Sequence, residues 1–243
     1  MDRKERADLV LVRRGLAPTR SRARWLIKEG FVLHEGRTLD KPGRMIWADA
    51  AIEVLDGADV AGKGALKLRA ALDAFGIDVT GLAAADVGAC TGGFTQVLLS
   101  RGARRVFAVD VGKGQLRAEL SSDPRVVNME GTDARDVGPL PEKVDVCTVD
   151  VSFISLRMVL PHVSKWLTPE GRIVALVKPQ FEGGPGATDR RGVVSDDDAR
   201  EAIVRGLEEW CAEQGFRVEG RIVSPVKGAK GNVEHFLCLR LQA

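Results

Sequence analysis

An alternation of short apolar runs with helix-length segments fills the last two thirds of the chain and constrains its fold more than any other feature. Seven runs rich in β-branched and other apolar residues occur at 82–87, 106–111, 126–129, 144–150, 172–177, 218–223 and 234–239. Helix-like segments lie between most of them, at 95–101, 116–120, 156–167 and 196–214. Strands that alternate with helices predict an α/β fold with a mostly parallel sheet covered on both faces. The loop before the last run is too short for a helix, so the final strand is expected to be antiparallel.

Charge is distributed unevenly along the 243 residues, although the net charge is only +2. Residues 1–48 hold twelve Lys/Arg against six Asp/Glu, a local balance of +6 that leaves −4 for the remainder. With 44% hydrophobic residues the chain can bury one sizeable core and still form a small second module. A basic head on a mildly acidic body predicts a polyanion-binding module attached to a larger domain.

The head reads as a small α+β module. Leu9 to Leu16 give a short helical pattern, and a second helix capped by Thr19 or Ser21 runs to Lys28. Residues 31–34 and 37–40 then form a predicted hairpin around the turn Glu35-Gly36. We expect this module at 1–54, a glycine-rich linker at 55–66 and the larger domain at 67–243.

A stripe of cations marks the second helix of the head. Its members recur every four residues and share one face, at Arg20, Arg24 and Lys28. A solvated helix face would show the same spacing. Three further cations thicken the patch, Arg13, Arg14 and Arg22, and we therefore favour contact between all six and RNA phosphates.

Several classes of protein are disfavoured. The longest apolar stretches, such as 173–177, are strand-sized, well below the roughly 20 residues of a membrane span. The charged N-terminus develops no signal-peptide core, which predicts a cytoplasmic protein. The cysteines, Cys90, Cys147, Cys211 and Cys238, include no C-x-x-C pair, so we expect reduced structural thiols and no metal site.

A glycine-rich turn, Asp86-Val-Gly-Ala-Cys-Thr-Gly-Gly93, follows the first strand of the larger domain. Such a turn lets the backbone approach a ligand but does not identify it. Asp110 ends the next strand, where a carboxylate can accept hydrogen bonds from ribose hydroxyls. Asp86 would repel a dinucleotide pyrophosphate but suits the cationic aminoacyl end of S-adenosylmethionine, which favours that cofactor. Asp133 is either an acceptor for an adenine amine or a solvated loop acid.

Charged residues also finish two other apolar strands. Asp150 and Lys178 close their strands at the carboxyl edge of the sheet, where ligands bind in folds of this class. Lys67 and Glu234 add a second lysine and a second acid on flanking elements. Each alone reads as a surface charge, whereas together they suggest a site.

The head resembles the alpha-L RNA-binding module, through Leu9-Val-Leu-Val-Arg-Arg-Gly-Leu16, Thr19-Arg-Ser-Arg-Ala23 and Ile27-Lys-Glu-Gly30. The whole chain resembles the TlyA, or hemolysin A, family, whose catalytic domain is FtsJ-like and Rossmann-like. The most specific strings are Val149-Asp-Val-Ser-Phe-Ile-Ser155, Leu176-Val-Lys-Pro-Gln-Phe-Glu182 and Gly231-Asn-Val-Glu234. Three features depart from the family pattern: Cys90 in the glycine turn, Lys63-Gly64 in the linker, and residues 183–191.

The resemblance implies a seven-stranded methyltransferase sheet and S-adenosylmethionine-dependent methylation of ribose 2′-hydroxyls in ribosomal RNA, with cytidine as the target nucleotide. It implies a catalytic tetrad of Lys67, Asp150, Lys178 and Glu234. The implied cofactor contacts are Asp86, Gly88, Thr91, Gly92, Gly93, Phe94, Asp110 and Asp133. Lys178 would act on the ribose hydroxyl as base or as electrostatic stabiliser.

Two other functions stay open. The first is a membrane-active hemolysin, which the absence of an apolar span or a strongly amphipathic helix disfavours. The second is a non-catalytic RNA-binding factor, which the presence of all four tetrad positions disfavours. The expected partner is ribosomal RNA within ribosomal subunits, with no membrane. The oligomeric state is left open, with a monomer favoured.

Overall fold

The computed structural model describes residues 3–28, 30–54 and 62–242. The chain forms two compact units, Met1–Leu66 and Lys67–Ala243. Residues 55–61 of the expected linker and the side chain of Lys28 lie outside the described residues. Residues 62–66, also expected in the linker, instead begin helix α3 (Gly62–Ala74). Its buried residues Ala65, Leu68 and Leu72 recur at helical spacing, a pattern that the neighbouring glycines obscured.

The first unit combines two helices with short strands. In chain order these are β1 (Lys4–Arg6), α1 (Ala7–Arg13), α2 (Arg20–Lys28), β2 (Val32–His34), β3 (Arg37–Thr38), β4 (Met45–Trp47) and β5 (Ile52–Val54). The predicted hairpin is present, because β2 and β3 pair antiparallel and both turn residues, Glu35 and Gly36, have positive φ. Strand β5 extends this pair, and β1 pairs with β4; neither pairing was predicted.

A buried carboxylate joins the two helices of the first unit. Asp8 has no exposed surface, and its oxygens accept hydrogen bonds from Arg6 at 3.0 Å and from Arg20 at 3.1 Å. The apolar residues of both helices and of the following segment form one buried core in this unit, among them Val10, Leu11, Ile27 and Phe31. Arg20 therefore has a structural role in addition to any role at the surface.

The second unit is built on a seven-stranded sheet within the described residues. Its strands are β6 (Ala83–Val87), β7 (Arg105–Asp110), β8 (Val126–Glu130), β9 (Val144–Val149), β10 (Leu167–Val177), β11 (Phe216–Val223) and β12 (His235–Leu241). The helices after α3 are α4 (Gly93–Ser100), α5 (Ala118–Ser121), α6 (Leu156–Val163), α7 (Pro179–Glu182) and α8 (Asp197–Glu213), with 3₁₀ turns at Ser164–Trp166 and Ala229–Gly231. The predicted helix 156–167 is shorter because that turn leads directly into β10.

The strand order is β11-β12-β10-β9-β6-β7-β8. The five strands from β10 to β8 are parallel, and β12 is antiparallel to both of its neighbours. The predicted fold class and the antiparallel final strand are thus confirmed. The carboxyl ends of the parallel strands meet at one edge, which is where ligands bind in open α/β sheets. Among the described residues, no helix has the length and apolar character needed to cross a membrane.

Replacing Asp8 by Asn tests the joint between α1 and α2. Burial alone would raise the pKa of Asp8, but hydrogen bonds from Arg6 and Arg20 outweigh it and hold the pKa below its usual value. The carboxylate therefore stabilises the fold above its unfolded pKa of about 4, and this stability is lost as the pH falls through the folded pKa. We expect D8N to lower the unfolding free energy of the first unit by about 2 kcal/mol at neutral pH.

Amide hydrogen exchange in α1 and α2 of the full chain, combined with urea unfolding, measures this loss. The difference from wild type should shrink below about pH 4. D40N, which changes an exposed aspartate of the same unit, is the control. Equal losses of unfolding free energy in D8N and D40N would show that the hydrogen bonds of Asp8 with Arg6 and Arg20 do not stabilise this unit.

Candidate active site

A cavity of about 750 Å³ opens at the carboxyl ends of the parallel strands. Four of the residues expected at the site line it, Gly88, Asp110, Asp133 and Asp150. The other residues expected to contact the cofactor do not line this cavity: they are Asp86, Thr91, Gly92, Gly93 and Phe94. They lie in or beside the turn that forms one wall, so the cavity and the glycine turn form one site.

The turn requires glycine at two positions. Gly88 has φ +84°, and a Cβ there would lie 2.3 Å from the carbonyl oxygen of Asp150. Gly92, at the start of α4, has φ +92°, and its Cβ would lie 2.2 Å from Leu120 Cδ1. Phe94 is buried and packs near Phe236, with ring centroids 6.1 Å apart. Its side chain therefore lies in the core beneath the turn, and its expected contact with the cofactor stays a prediction.

Asp86 lies in β6 and not inside the glycine turn, which corrects its expected position. It has no exposed surface, and its carboxylate accepts hydrogen bonds from the hydroxyls of Thr95 at 2.6 Å and Thr148 at 3.1 Å. Both contacts join neighbouring elements, α4 and β9, to β6. The carboxylate thus supports the turn from below instead of facing the cavity.

Asp110 ends β7 and holds the backbone around the cavity. Its carboxylate accepts the N–H of Cys90 at 2.8 Å and the N–H of Gly112 at 2.7 Å, while the residue also lines the cavity. Asp133 accepts hydrogen bonds from the guanidinium of Arg135, the shortest at 2.6 Å. That pairing was not anticipated, and Arg135 also lines the cavity.

The four residues of the expected tetrad form two ion pairs. Lys178 Nζ lies 2.6 Å from Asp150 Oδ1 and donates a hydrogen bond to Ser152 Oγ at 2.8 Å. Lys67 Nζ lies 2.6 Å from Glu234 Oε2, and both residues are buried. Glu234 thus pairs with Lys67, while Asp150 pairs with Lys178. The first pair borders the cavity through Asp150 and Ser152.

The segment after Asp150 supplies an apolar wall that sequence reasoning did not assign. Val151, Phe153 and Ile154 line the cavity together with Ser152. Phe153 has φ +64° and is 91% exposed, an unusual state for a large aromatic residue. The available signal was an apolar run placed directly after an acid that ends a strand.

The six expected RNA-binding cations differ in their surroundings. Arg14 donates to the carbonyl of Ala50 at 2.7 Å, and Arg13 donates to that of Ala48 at 3.2 Å. Arg22 lies over the ring of Trp25 at 4.1 Å. Arg20 is bound to Asp8, and the side chain of Lys28 lies outside the described residues. Arg24 is exposed and makes no ion pair within the described part of the chain.

Comparison with known proteins places this architecture in a family. Residues 60–241 match the FtsJ-like methyltransferase family, and residues 5–46 match the S4 domain. The 16S/23S rRNA (cytidine-2′-O)-methyltransferase TlyA of Mycobacterium tuberculosis is 45% identical, over 100% of this chain and 92% of that protein. The chain belongs to the TlyA family of FtsJ-like methyltransferases.

Two further proteins to which the chain is similar carry a different name. Hemolysin A of Brachyspira hyodysenteriae is 36% identical, over 95% of this chain and 97% of that protein. A solved structure described as a hemolysin from Streptococcus thermophilus has a TM-score of 0.77 at 36% identity, covering 99% of this chain and 89% of that one. The family resemblance inferred from the sequence is therefore confirmed along the whole chain.

Asp86 should make stability depend on pH. Burial raises its pKa to about 6, although hydrogen bonds from Thr95 and Thr148 oppose the shift. Because the folded pKa exceeds the unfolded one, the folded state binds the proton more tightly, and stability falls as the pH rises from the unfolded pKa to about 6. Relative to D86N, we expect the wild-type unfolding free energy to fall by about 2 kcal/mol between about pH 4 and about pH 7.

Urea unfolding of both proteins across that range measures the difference. D136N, at an exposed aspartate of the same unit, should follow the wild-type pH profile. Parallel profiles for wild type and D86N would contradict the assignment of an ionisable, buried Asp86.

Proposed function

We propose that this chain transfers a methyl group from S-adenosylmethionine to the 2′-hydroxyl of cytidine in ribosomal RNA. The observation that carries the proposal is the Lys178–Asp150 pair at the rim of a cavity that the glycine turn also lines, next to Asp150. The relatives named as ribosomal RNA cytidine-2′-O-methyltransferases support the same reaction. The cavity would hold the donor, and the pair would meet the ribose.

The described residues fit the donor. Gly88 lines the cavity, and because it has no side chain its main chain can be approached closely by a ligand. Asp110 at the end of β7 would accept from the ribose hydroxyls of the donor, and Asp133 from its adenine amine. Thr91, Gly92 and Gly93 shape the turn, and Asp86 and Phe94 support it from the core.

The reaction requires alignment and the removal of one proton. S-adenosylmethionine supplies an activated methyl group on its sulfonium. The ribose oxygen would attack that carbon as the carbon–sulfur bond breaks, which would release a neutral thioether and require the hydroxyl proton to pass to a base or to solvent. We assign the contact with this hydroxyl to Lys178, which Asp150 and Ser152 hold in place. Lys67 and Glu234 form the second pair and would position the target nucleotide.

The first unit would bind the RNA. Its S4 domain and its balance of +6 over residues 1–48 suit a phosphate backbone. We propose an RNA-binding module at 1–54 and a catalytic domain at 67–243, joined by a linker whose last residues, 62–66, begin α3. We further propose ribosomal RNA within ribosomal subunits as the substrate, the cytoplasm as the location and a monomer as the working form.

Labelled donor incubated with separated ribosomal subunits, followed by mapping of 2′-O-methyl sites, tests the proposal. Wild type should label the ribose of a cytidine in ribosomal RNA. K178A should reduce kcat by about 100-fold or more, as expected for loss of a group that manages the proton. Its donor Kd from calorimetry should stay within a few-fold, because the lysine does not line the cavity as described.

K165A, at an exposed lysine of the same unit, serves as the control and should retain full activity. Label found on a nucleobase, or no donor binding at all, would overturn the proposed function. Equal losses of donor affinity and kcat in K178A would remove this lysine from its assigned role.

Arg24 offers the cleanest test of RNA binding by the first unit. Since it is exposed and makes no ion pair among the described residues, R24A should weaken RNA binding without loss of stability. Each lost phosphate contact releases about one counterion fewer, so the slope of log affinity against log salt should decrease by about one unit. Filter binding at several salt concentrations measures both quantities.

R20A should weaken binding as well, but with a loss of stability, because Arg20 holds Asp8. R217A, at an exposed arginine of β11, is the control outside the first unit. Full RNA affinity and an unchanged salt slope in R24A would show that this helix face is only solvated.

A further inference from the structure

Glu182, the last residue of α7, makes contacts that the proposed reaction does not use. Its carboxylate accepts the hydroxyl of Ser155 at 2.6 Å and the backbone N–H of Leu156 at 2.7 Å. Ser155 Oγ in turn accepts the N–H of Arg157 at 3.1 Å. The carboxylate and the serine together cap the N-terminus of α6, where negative charge is favourable.

These contacts are one of two attachments between the segment that follows β9 and the segment that follows β10. At the other, Lys178 Nζ reaches Asp150 Oδ1 at 2.6 Å and Ser152 Oγ at 2.8 Å. Segment 150–155, of which residues 150–154 line the cavity, is thus tied at both ends to segment 178–182. Between the two attachments, Phe153 rests near Phe181, with ring centroids 5.2 Å apart.

The carboxylate is placed there at an energetic cost. Burial raises the pKa of Glu182, and the hydrogen bonds from Ser155 and Leu156 only partly offset it. The cost of burying this partly buried carboxylate therefore offsets part of what it contributes to stability as a helix cap. The same hydrogen bonds, to Ser155 and Leu156, also fix one end of the backbone segment that begins at Asp150 and includes Phe153.

We propose that Glu182 is a positioning residue for methyl transfer, which holds segment 150–155 so that Asp150 and Ser152 keep Lys178 aligned with the ribose hydroxyl. The inference rests on the proposed function for its kinetic consequence. Its structural consequence, the fixed segment, is measurable without any reaction. A displacement of about 1 Å at a reacting group can cost about 100-fold in rate.

The experiment compares E182A, E182Q and E182D in the full chain. E182A removes both acceptors, and E182D is one methylene too short to reach them. E182Q keeps an acceptor oxygen for Leu156, and its amide can donate to Ser155. We expect kcat to fall by about 100-fold in E182A and E182D, with donor Kd within about threefold of wild type, and to recover most of its value in E182Q.

Amide hydrogen exchange of residues 150–156 supplies the readout that does not depend on activity. Exchange at Leu156 should accelerate in E182A and return toward wild type in E182Q. E209A, at an exposed glutamate of α8, should behave as wild type.

Several outcomes would overturn the inference. One is E182A with wild-type kcat and unchanged exchange. Another is a parallel loss of melting temperature, donor affinity and kcat that E182Q does not rescue, since that pattern belongs to a merely structural residue. If the wild-type chain methylates no RNA while exchange still responds as described, the proposed function fails and the attachment stands.

Discussion

The close approach of two backbones is the constraint on which the site depends. Strands β6 and β9 are neighbours in parallel register, with Val87 opposite Val149, so the residues that follow them, Gly88 and Asp150, come together. The N–H of Asp150 donates to the carbonyl of Val87 at 2.8 Å, and any Cβ at Gly88 would collide with the Asp150 carbonyl. Gly88 belongs to the turn that would hold the methyl donor, and Asp150 would act near the ribose of the RNA. The two residues are therefore parts of one edge of the sheet.

Sheet order then places the remaining groups along that edge. Strands β10, β9, β6 and β7 are adjacent, and Lys178, Asp150, Gly88 and Asp110 lie at or just beyond their carboxyl ends. With strands spaced about 4.8 Å apart, the four positions span roughly 14 Å. A donor whose nucleoside end meets Asp110 would therefore present its other end toward Asp150 and Lys178. Chain order does not reveal this row, because the residues are separated by up to 90 positions and only the strand crossovers bring them together.

The sequence predicted the sheet well because periodicity reports burial, and buried parallel strands are continuous apolar runs. The sequence predicted less well which side chains are paired by hydrogen bonds or ion pairs. Asp86 looked like a ligand contact because it precedes the glycines, yet its place inside β6 gives it two threonine hydroxyls instead of solvent. Helix α3 was missed at its start because Gly62 and Gly64 resemble linker residues. Pairings across long sequence separations, such as Arg20 with Asp8 or Glu182 with Ser155, leave no periodic signal at all.

The second ion pair shows why stability alone does not account for the site. Lys67 and Glu234 are 167 residues apart, buried, and joined at 2.6 Å. Removing two such charges from water costs several kcal/mol per ion, and apolar side chains of similar volume would often stabilise a fold at least as well. The backbone nevertheless makes room for the pair, since a Cβ at Gly228 would lie 1.8 Å from Glu234 Oε1. An apolar pair would fill this place at least as well, so stability does not account for the two charges. We infer that the charges themselves matter at this position. In a methyl transfer from a sulfonium to a hydroxyl, negative charge moves from the oxygen toward the sulfur. Fixed charges near the reacting atoms can stabilise that movement in the transition state.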